Sequence, residues 1–158
     1  MTHNLKKFFK AFKYAFSGLL ESIHTQRNMR FHIGAAVYVI TFMYAFYDLN
    51  VSQKAAIYIC IGLVIGMELL NTAIESTCDL ACNNQKDSRA KTAKDCAAAA
   101  VLIVSAAAVA VGIVVFWDTA VFGKIFRFFK ENIMVFAAFI VSLMLWAAWI
   151  LSTKGKDK

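Results

Sequence analysis

Residues 67–80 read MELLNTAIESTCDL, and they place three carboxylates and one amide inside an otherwise apolar helix. Glu68, Asn71, Glu75 and Asp79 follow one another at spacings of 3, 4 and 4. At 3.6 residues per turn they fall within an arc of about 80°, so a single helix face carries all four. The uncharged run 55–67 leads directly into them. An acidic stripe at that point stands where a membrane helix meets its water boundary. Ionised groups at membrane depth are costly and persist mainly where they have partners or a task. The stripe therefore reads as a site.

Working outward, the composition names the solvent. Hydrophobic residues make up 60% of the 158, and the mean hydropathy is +0.60; a water-soluble domain of this size is not expected. Residues 31–47, 97–117 and 133–151 contain no Asp, Glu, Lys or Arg, and each is near the length of roughly 17–25 residues that crosses a bilayer. The run 55–67 is too short to span alone. It must continue through Glu68 and Asn71 with their face turned towards protein, which predicts four membrane helices.

The first 30 residues hold six Lys or Arg and no continuous apolar core, so no cleaved signal peptide is expected. Leu5, Phe8, Phe9, Phe12, Phe16, Leu19, Leu20 and Ile23 share an arc of about 120°, with Lys7, Lys10, Tyr14 and Glu21 opposite. A basic amphipathic helix of this kind lies in the membrane interface. A second reading adds that its polar face, with Tyr14 between Lys7 and Lys10, covers a bound anion.

Charge orients the chain. With the N-terminus inside, thirteen of the seventeen Lys and Arg lie on the cytoplasmic side, as the positive-inside rule favours. The acidic stripe and the basic connection 83–94 then share that side, and localisation to a bacterial plasma membrane with an inward-facing site is expected. The net charge of +7 calls for no nucleic-acid partner.

There is no proline, so the interrupted mid-membrane helices of many transporters have no support. No phosphate loop of the Walker type and no dinucleotide fingerprint is present. Cys60, Cys78, Cys82 and Cys96 lack zinc-site spacing and read as reduced, space-filling thiols. Gly62 and Gly66 form a small-xxx-small pair, a device that lets membrane helices approach closely, within one chain or between chains. Four short helices enclose little volume around Glu68 and Glu75, and a homo-oligomer is expected.

The chemistry assembles from these parts. Beside the stripe, the segment DSRAKTAKD brings Arg89, Lys91, Lys94 and Asp95. Carboxylates with phosphate oxygens and water are the hard ligands that Mg²⁺ prefers. Lysines neutralise phosphate charge, and a carboxylate near a lipid hydroxyl can act as general base. The ensemble suits phosphoryl transfer from a nucleotide to a lipid alcohol, without being unique to it.

Residues 67–80, followed by Ala93-Lys94-Asp95 and Ala98-Ala99-Ala100-Val101-Leu102-Ile103, resemble the signature of prokaryotic diacylglycerol and undecaprenol kinases. Residues 12–19, FKYAFSGL, and 27–32, RNMRFH, resemble the Gram-positive undecaprenol kinase branch. The likeness runs colinearly over about residues 5–117. It implies a homotrimeric membrane kinase with a surface helix, three membrane helices per subunit and sites shared between neighbours. It also implies that Glu68 is the catalytic base, with Asn71 and Arg30 on the lipid side. Glu75 would hold Mg²⁺ and ATP, Lys94 and Asp95 would contact the nucleotide, and Tyr14 and Lys7 would close over it from the surface helix. Asp79 would be a structural acid.

The chain departs from that pattern twice. Gln26 stands where the family carries a metal-binding glutamate; it offers a carbonyl oxygen to nucleotide-bound Mg²⁺ but no charge. The span 133–151 lies beyond the usual end of the family. The expected organisation is an all-α membrane bundle: an interfacial helix at 1–30, a three-helix kinase core at 31–117, then at 118–158 an external loop, a fourth membrane helix and a basic cytoplasmic tail. The expected activity is an ATP-dependent kinase acting on undecaprenol, or next on diacylglycerol. A degenerate kinase kept as a membrane scaffold, or a small proton-coupled transporter, are the alternatives.

Overall fold

The computed structural model describes residues 2–83 and 85–152, with side chains from residue 5. Every element among them is a helix: α1 Thr2–Thr25, α2 Arg27–Phe46, α3 Val51–Ala81, α4 Ser88–Phe116, α5 Thr119–Glu131 and α6 Ile133–Leu151. The basic tail 153–158 lies outside the described residues. Four helices, α2, α3, α4 and α6, are long and apolar enough to cross a membrane. The chain is an all-helical membrane bundle preceded by the amphipathic α1.

The helix ends follow from local chemistry. The Asn50 side chain accepts from the Gln53 amide while the Gln53 side chain accepts from the Asn50 amide, a reciprocal cap that starts α3. Asp87 accepts from the amides of Arg89 and Ala90 and starts α4, and Asp118 does the same for α5 with Ala120 and Val121. Asn83 sits at φ 47°, the left-handed turn that releases the chain from α3. The chain breaks between α1 and α2 at Gln26, whose backbone is extended.

Two connections expected as loops are helical. Residues 119–131 form α5, because Asp118 caps a segment whose Val121, Phe122, Ile125, Phe126 and Phe129 recur at helical spacing. Its three cations, Lys124, Arg127 and Lys130, occupy the other face of one helix. Likewise α4 starts at Ser88, so Lys91, Lys94 and Asp95 project from a helix and not from a flexible connection.

α3 and α4 form a long antiparallel hairpin with the most extensive contact in the molecule; α2 lies against α3, α6 against α2, and α1 meets α2 and α3. α3 holds 31 residues, roughly 46 Å of helix against a hydrocarbon core of about 30 Å. Such a helix is longer than the apolar layer is thick, and its last turns are the ones that carry Glu75 and Asp79.

Few side chains are fully buried. Met43, Leu49 and Ile57 form a small core with Val39, Tyr47, Ile61, Val115 and Phe116 at the end opposite Glu75. Leu102, Ile103, Val109 and Val114 on α4 are exposed, as are Met134 and Leu145 on α6. Apolar surface on this scale belongs against lipid or another protein chain. Among the described residues, nothing beyond the helix's own nearby backbone lies within 4 Å of a Cβ built at Gly62 or Gly66.

α6 docks on α2 in an antiparallel register. Arg30 meets Trp149 and Gly34 meets Trp146. Tyr38 and Ser142 share a hydroxyl hydrogen bond of 2.9 Å, and Phe42 packs edge-on to Phe139. Gly34 is required here, because any Cβ at that position would run into the Trp146 indole. Beyond this seam Phe46, Phe128 and Phe129 tie α5 to the far end of α2.

Candidate functional site

Glu68 is 2% exposed and Asn71 6%. Their neighbours in the helix explain the arrangement. Asn71 Nδ2 donates to Glu75 Oε1 at 3.1 Å, one turn further on, and Thr72 Oγ1 donates to the Glu68 carbonyl at 3.0 Å. Among the described residues Glu68 Oε2 and Asn71 Oδ1 are buried without a hydrogen-bond partner. Two oxygen acceptors in this condition are costly to keep in an apolar setting. They sit one to two turns from the half-buried Glu75, so α3 presents a ladder of oxygen ligands from depth to surface.

α4 closes the mouth of the hairpin. Lys94 Nζ meets Asp79 Oδ1 at 2.5 Å, which puts a cation over the outermost acid of the stripe. Asp95, on the next position of α4, is exposed. Asp87, at the start of α4, has its carboxyl held below the usual range, first by the Arg89 amide, then by the Ala90 amide and the Arg89 side chain.

The structure brings Glu68, Asn71, Glu75, Asp79 and Lys94 together on the α3–α4 hairpin. Other expected residues stand apart within the single chain. Tyr14 is 62% exposed with Lys10 Nζ 5.7 Å from its ring, and Lys7 is exposed beside it. Gln26 is half-buried at the α1–α2 break, and its side chain makes no cap bond. Arg30 is 7% exposed, and its guanidinium is directed to the ends of α1 and α6.

Among the described residues no group of three or more His, Cys, Asp or Glu side chains is placed to hold a metal ion by itself, so a metal here would take most of its ligands from a nucleotide and water. Mg²⁺ takes hard oxygens, commonly one or two carboxylates, with phosphates and water for the rest. Glu75 offers one carboxylate, partly oriented by Asn71, while Gln26 stands apart from it within the single chain.

Two polar residues are not legible from the stripe. Ser22 of α1 is 2% exposed and its hydroxyl is buried without a partner; a small hydroxyl at the margin of the apolar arc of α1 is the only sequence signal. Thr72 holds the carbonyl of Glu68, and its place one turn after a candidate base is the signal there.

Comparison with known proteins identifies the family. The family described as prokaryotic diacylglycerol kinase matches residues 13–116. The chain is 37% identical over 114 residues to an undecaprenol kinase of Bacillus subtilis (strain 168), covering 72% of this chain and 91% of that protein. It is 43% identical over 102 residues to a diacylglycerol kinase of Synechocystis sp. (strain ATCC 27184 / PCC 6803 / Kazusa), covering 65% of this chain and 58% of that longer protein. The match spans α2, α3 and α4 with most of α1, and stops before α5 and α6. The chain thus belongs to the prokaryotic diacylglycerol kinase family of lipid kinases.

Proposed function

We propose that this protein transfers the γ-phosphate of ATP to the hydroxyl of a membrane lipid alcohol, with undecaprenol the favoured acceptor and diacylglycerol the second. The observation that carries this reading is the pair of buried oxygens of Glu68 and Asn71, unpartnered among the described residues and two turns and one turn inside Glu75. In this reading they face a lipid hydroxyl at the membrane boundary. The name of the Bacillus subtilis relative, matched over 91% of its length, favours undecaprenol.

In this reading Glu68 accepts the proton of the lipid hydroxyl as its oxygen bonds to the γ-phosphorus. The bond from that phosphorus to the β-bridging oxygen breaks, ADP leaves, and the proton passes from Glu68 to water. Asn71 orients Glu75 and faces the acceptor. Glu75 and Gln26 would hold Mg²⁺, which when bound with ATP neutralises phosphate charge. Lys94 draws on the same phosphate oxygens, and Asp95 faces the nucleotide. Preorganised charges of this kind do most of the work in phosphoryl transfer.

The single chain leaves Lys7 and Tyr14 outward and the apolar faces of α3 and α4 open. A homotrimer with sites shared between neighbouring copies accounts for both. The orientation with α1, the Glu75 end of α3 and the start of α4 in the cytoplasm follows from the positive charge there.

The test is transfer of labelled γ-phosphate by the purified protein to undecaprenol and to diacylglycerol in mixed micelles. Faster labelling of undecaprenol supports the full reading. Preference for diacylglycerol overturns the acceptor and keeps the kinase. No transfer to either, with intact folding, returns the protein to a scaffold that has lost its metal site at Gln26.

A further inference from the structure

Three helices meet at one guanidinium. Arg30 lies in the first turn of α2 and is 7% exposed. Its Nε donates to the Ile23 carbonyl at 2.7 Å and its Nη2 to the His24 carbonyl at 2.8 Å, both in the last turn of α1. Its Nη1 donates to the Trp149 carbonyl at 2.7 Å and to Ser152 Oγ at 2.9 Å, at the end of α6. The guanidinium also lies over the Trp149 ring, 5.5 Å from its centroid. The Arg30 carbonyl in turn accepts from Trp146 Nε1 at 3.3 Å.

The last carbonyls of a helix have no donor within the helix, and a cation at that end is favoured by the helix dipole. Arg30 supplies both to two helices at once. The rigid fork of an Arg suits this task, which the single ammonium of a Lys cannot repeat. Among the described residues of this chain α1 has otherwise little to hold it: its side chains from Leu5 to Gly18 are exposed, and those that are covered, such as Ser22 and Ile23, lie towards its end. The direction of the whole helix is therefore set at its final turn. Tyr14 lies eleven residues from Thr25, roughly 16 Å along the axis, so a tilt of about 10° at the break moves it by about 3 Å.

We propose that α6, acting through Arg30, is a built-in clamp that fixes the angle of α1, and that Arg30 is a positioning residue. α6 lies outside the stretch that matches the family, and the seam of Gly34, Tyr38 and Phe42 against Trp146, Ser142 and Phe139 holds it in register. The consequence for turnover rests on the proposed reading that Lys7 and Tyr14 close over the nucleotide; the clamp itself does not.

Spin labels at Ala11→Cys and Thr77→Cys, in a background without the four native cysteines and diluted with unlabelled protein in nanodiscs, report the angle between α1 and α3. Arg30→Gln cuts the clamp at its centre. Ser142→Ala with Trp146→Ala loosens α6 from α2 without touching α1. Both variants should broaden the distance distribution, and Arg30→Lys should fall between them and the parent. The α6 double variant should raise the KM for MgATP about three- to tenfold, since apparent affinity falls with the fraction of chains whose α1 is in place, while kcat stays within about twofold. An unchanged distance distribution in the α6 double variant overturns the clamp, as does an Arg30→Gln defect confined to the KM for lipid. The distance measurement needs no turnover, so a protein that phosphorylates neither lipid fails the proposed function and leaves the clamp to be judged by distance alone. If Arg30→Gln does not fold, the α6 double variant decides.

Discussion

Lys94 on α4 and Asp79 on α3 form an ion pair at 2.5 Å across the mouth of the hairpin. The lysine side chain is 34% exposed and the aspartate 50%, and solvent screening leaves such an exposed pair weak. In the proposed reading, phosphate oxygens compete for the ammonium at little cost, with Asp79 keeping it aimed at the site until they do.

Glu68→Gln should lower lipid phosphorylation by about 10²–10⁴-fold, the usual value of general-base assistance. The amide keeps the shape of the buried side chain, so the thermal unfolding midpoint should hold. Turnover within a few-fold of the parent would remove Glu68 from the role of base.

Shared sites make a distinct prediction. Glu68→Gln and Lys94→Met chains, each nearly inactive alone, should regain part of the activity when co-expressed, because some mixed assemblies join an intact base to an intact nucleotide contact. Proven mixing of subunits with no recovery would mean that each chain carries its whole site.

Gln26→Glu should lower the Mg²⁺ concentration needed for half-maximal activity, because Mg²⁺ affinity rises with the number of charged ligands. An unchanged or higher requirement in a Mg²⁺ titration would place residue 26 outside the metal shell.

Gly34→Ala should destabilise the docking of α6 by about 1–3 kcal/mol, the range for forcing extra atoms into a packed contact. The same substitution made in a Trp146→Leu background should cost much less, since the colliding indole is gone. Equal costs in the two backgrounds, read from a double-mutant cycle of unfolding midpoints, would show that the residues do not touch.

Asp87 gives a pH dependence. Its folded-state pKa is lowered by the Arg89 and Ala90 amides. The cap on α4 is therefore fully present above the unfolded value, about 4, and is lost as pH falls through the lowered folded value. Amide exchange at Arg89 and Ala90, corrected for its intrinsic pH dependence, should stay constant from neutrality to about pH 4 and speed up below it. Asp87→Asn, which still accepts hydrogen bonds, should remove that acid step.

Residues 67–80 and the three uncharged runs determined most of the architecture by themselves. Apolar length decides which segments cross a bilayer, and helical periodicity put Glu68, Asn71, Glu75 and Asp79 on one face before any coordinates were known. α5 escaped because its cations read as loop charge while its Phe and Ile residues, spaced at i, i+3 and i+4, carried the helical signal. Only the tertiary structure decided how the elements meet. It paired Lys94 with Asp79, fifteen residues earlier in the chain, and buried the Glu68 and Asn71 oxygens unpartnered. It left open space among the described residues where a Cβ at Gly62 or Gly66 would stand, and it turned Arg30 towards carbonyls on α1 and α6. Helix formation and membrane insertion depend on local spacing and composition, which a sequence displays. The register of α6 on α2 depends on Gly34 making room for Trp146, a contact between residues 112 positions apart that no local pattern encodes.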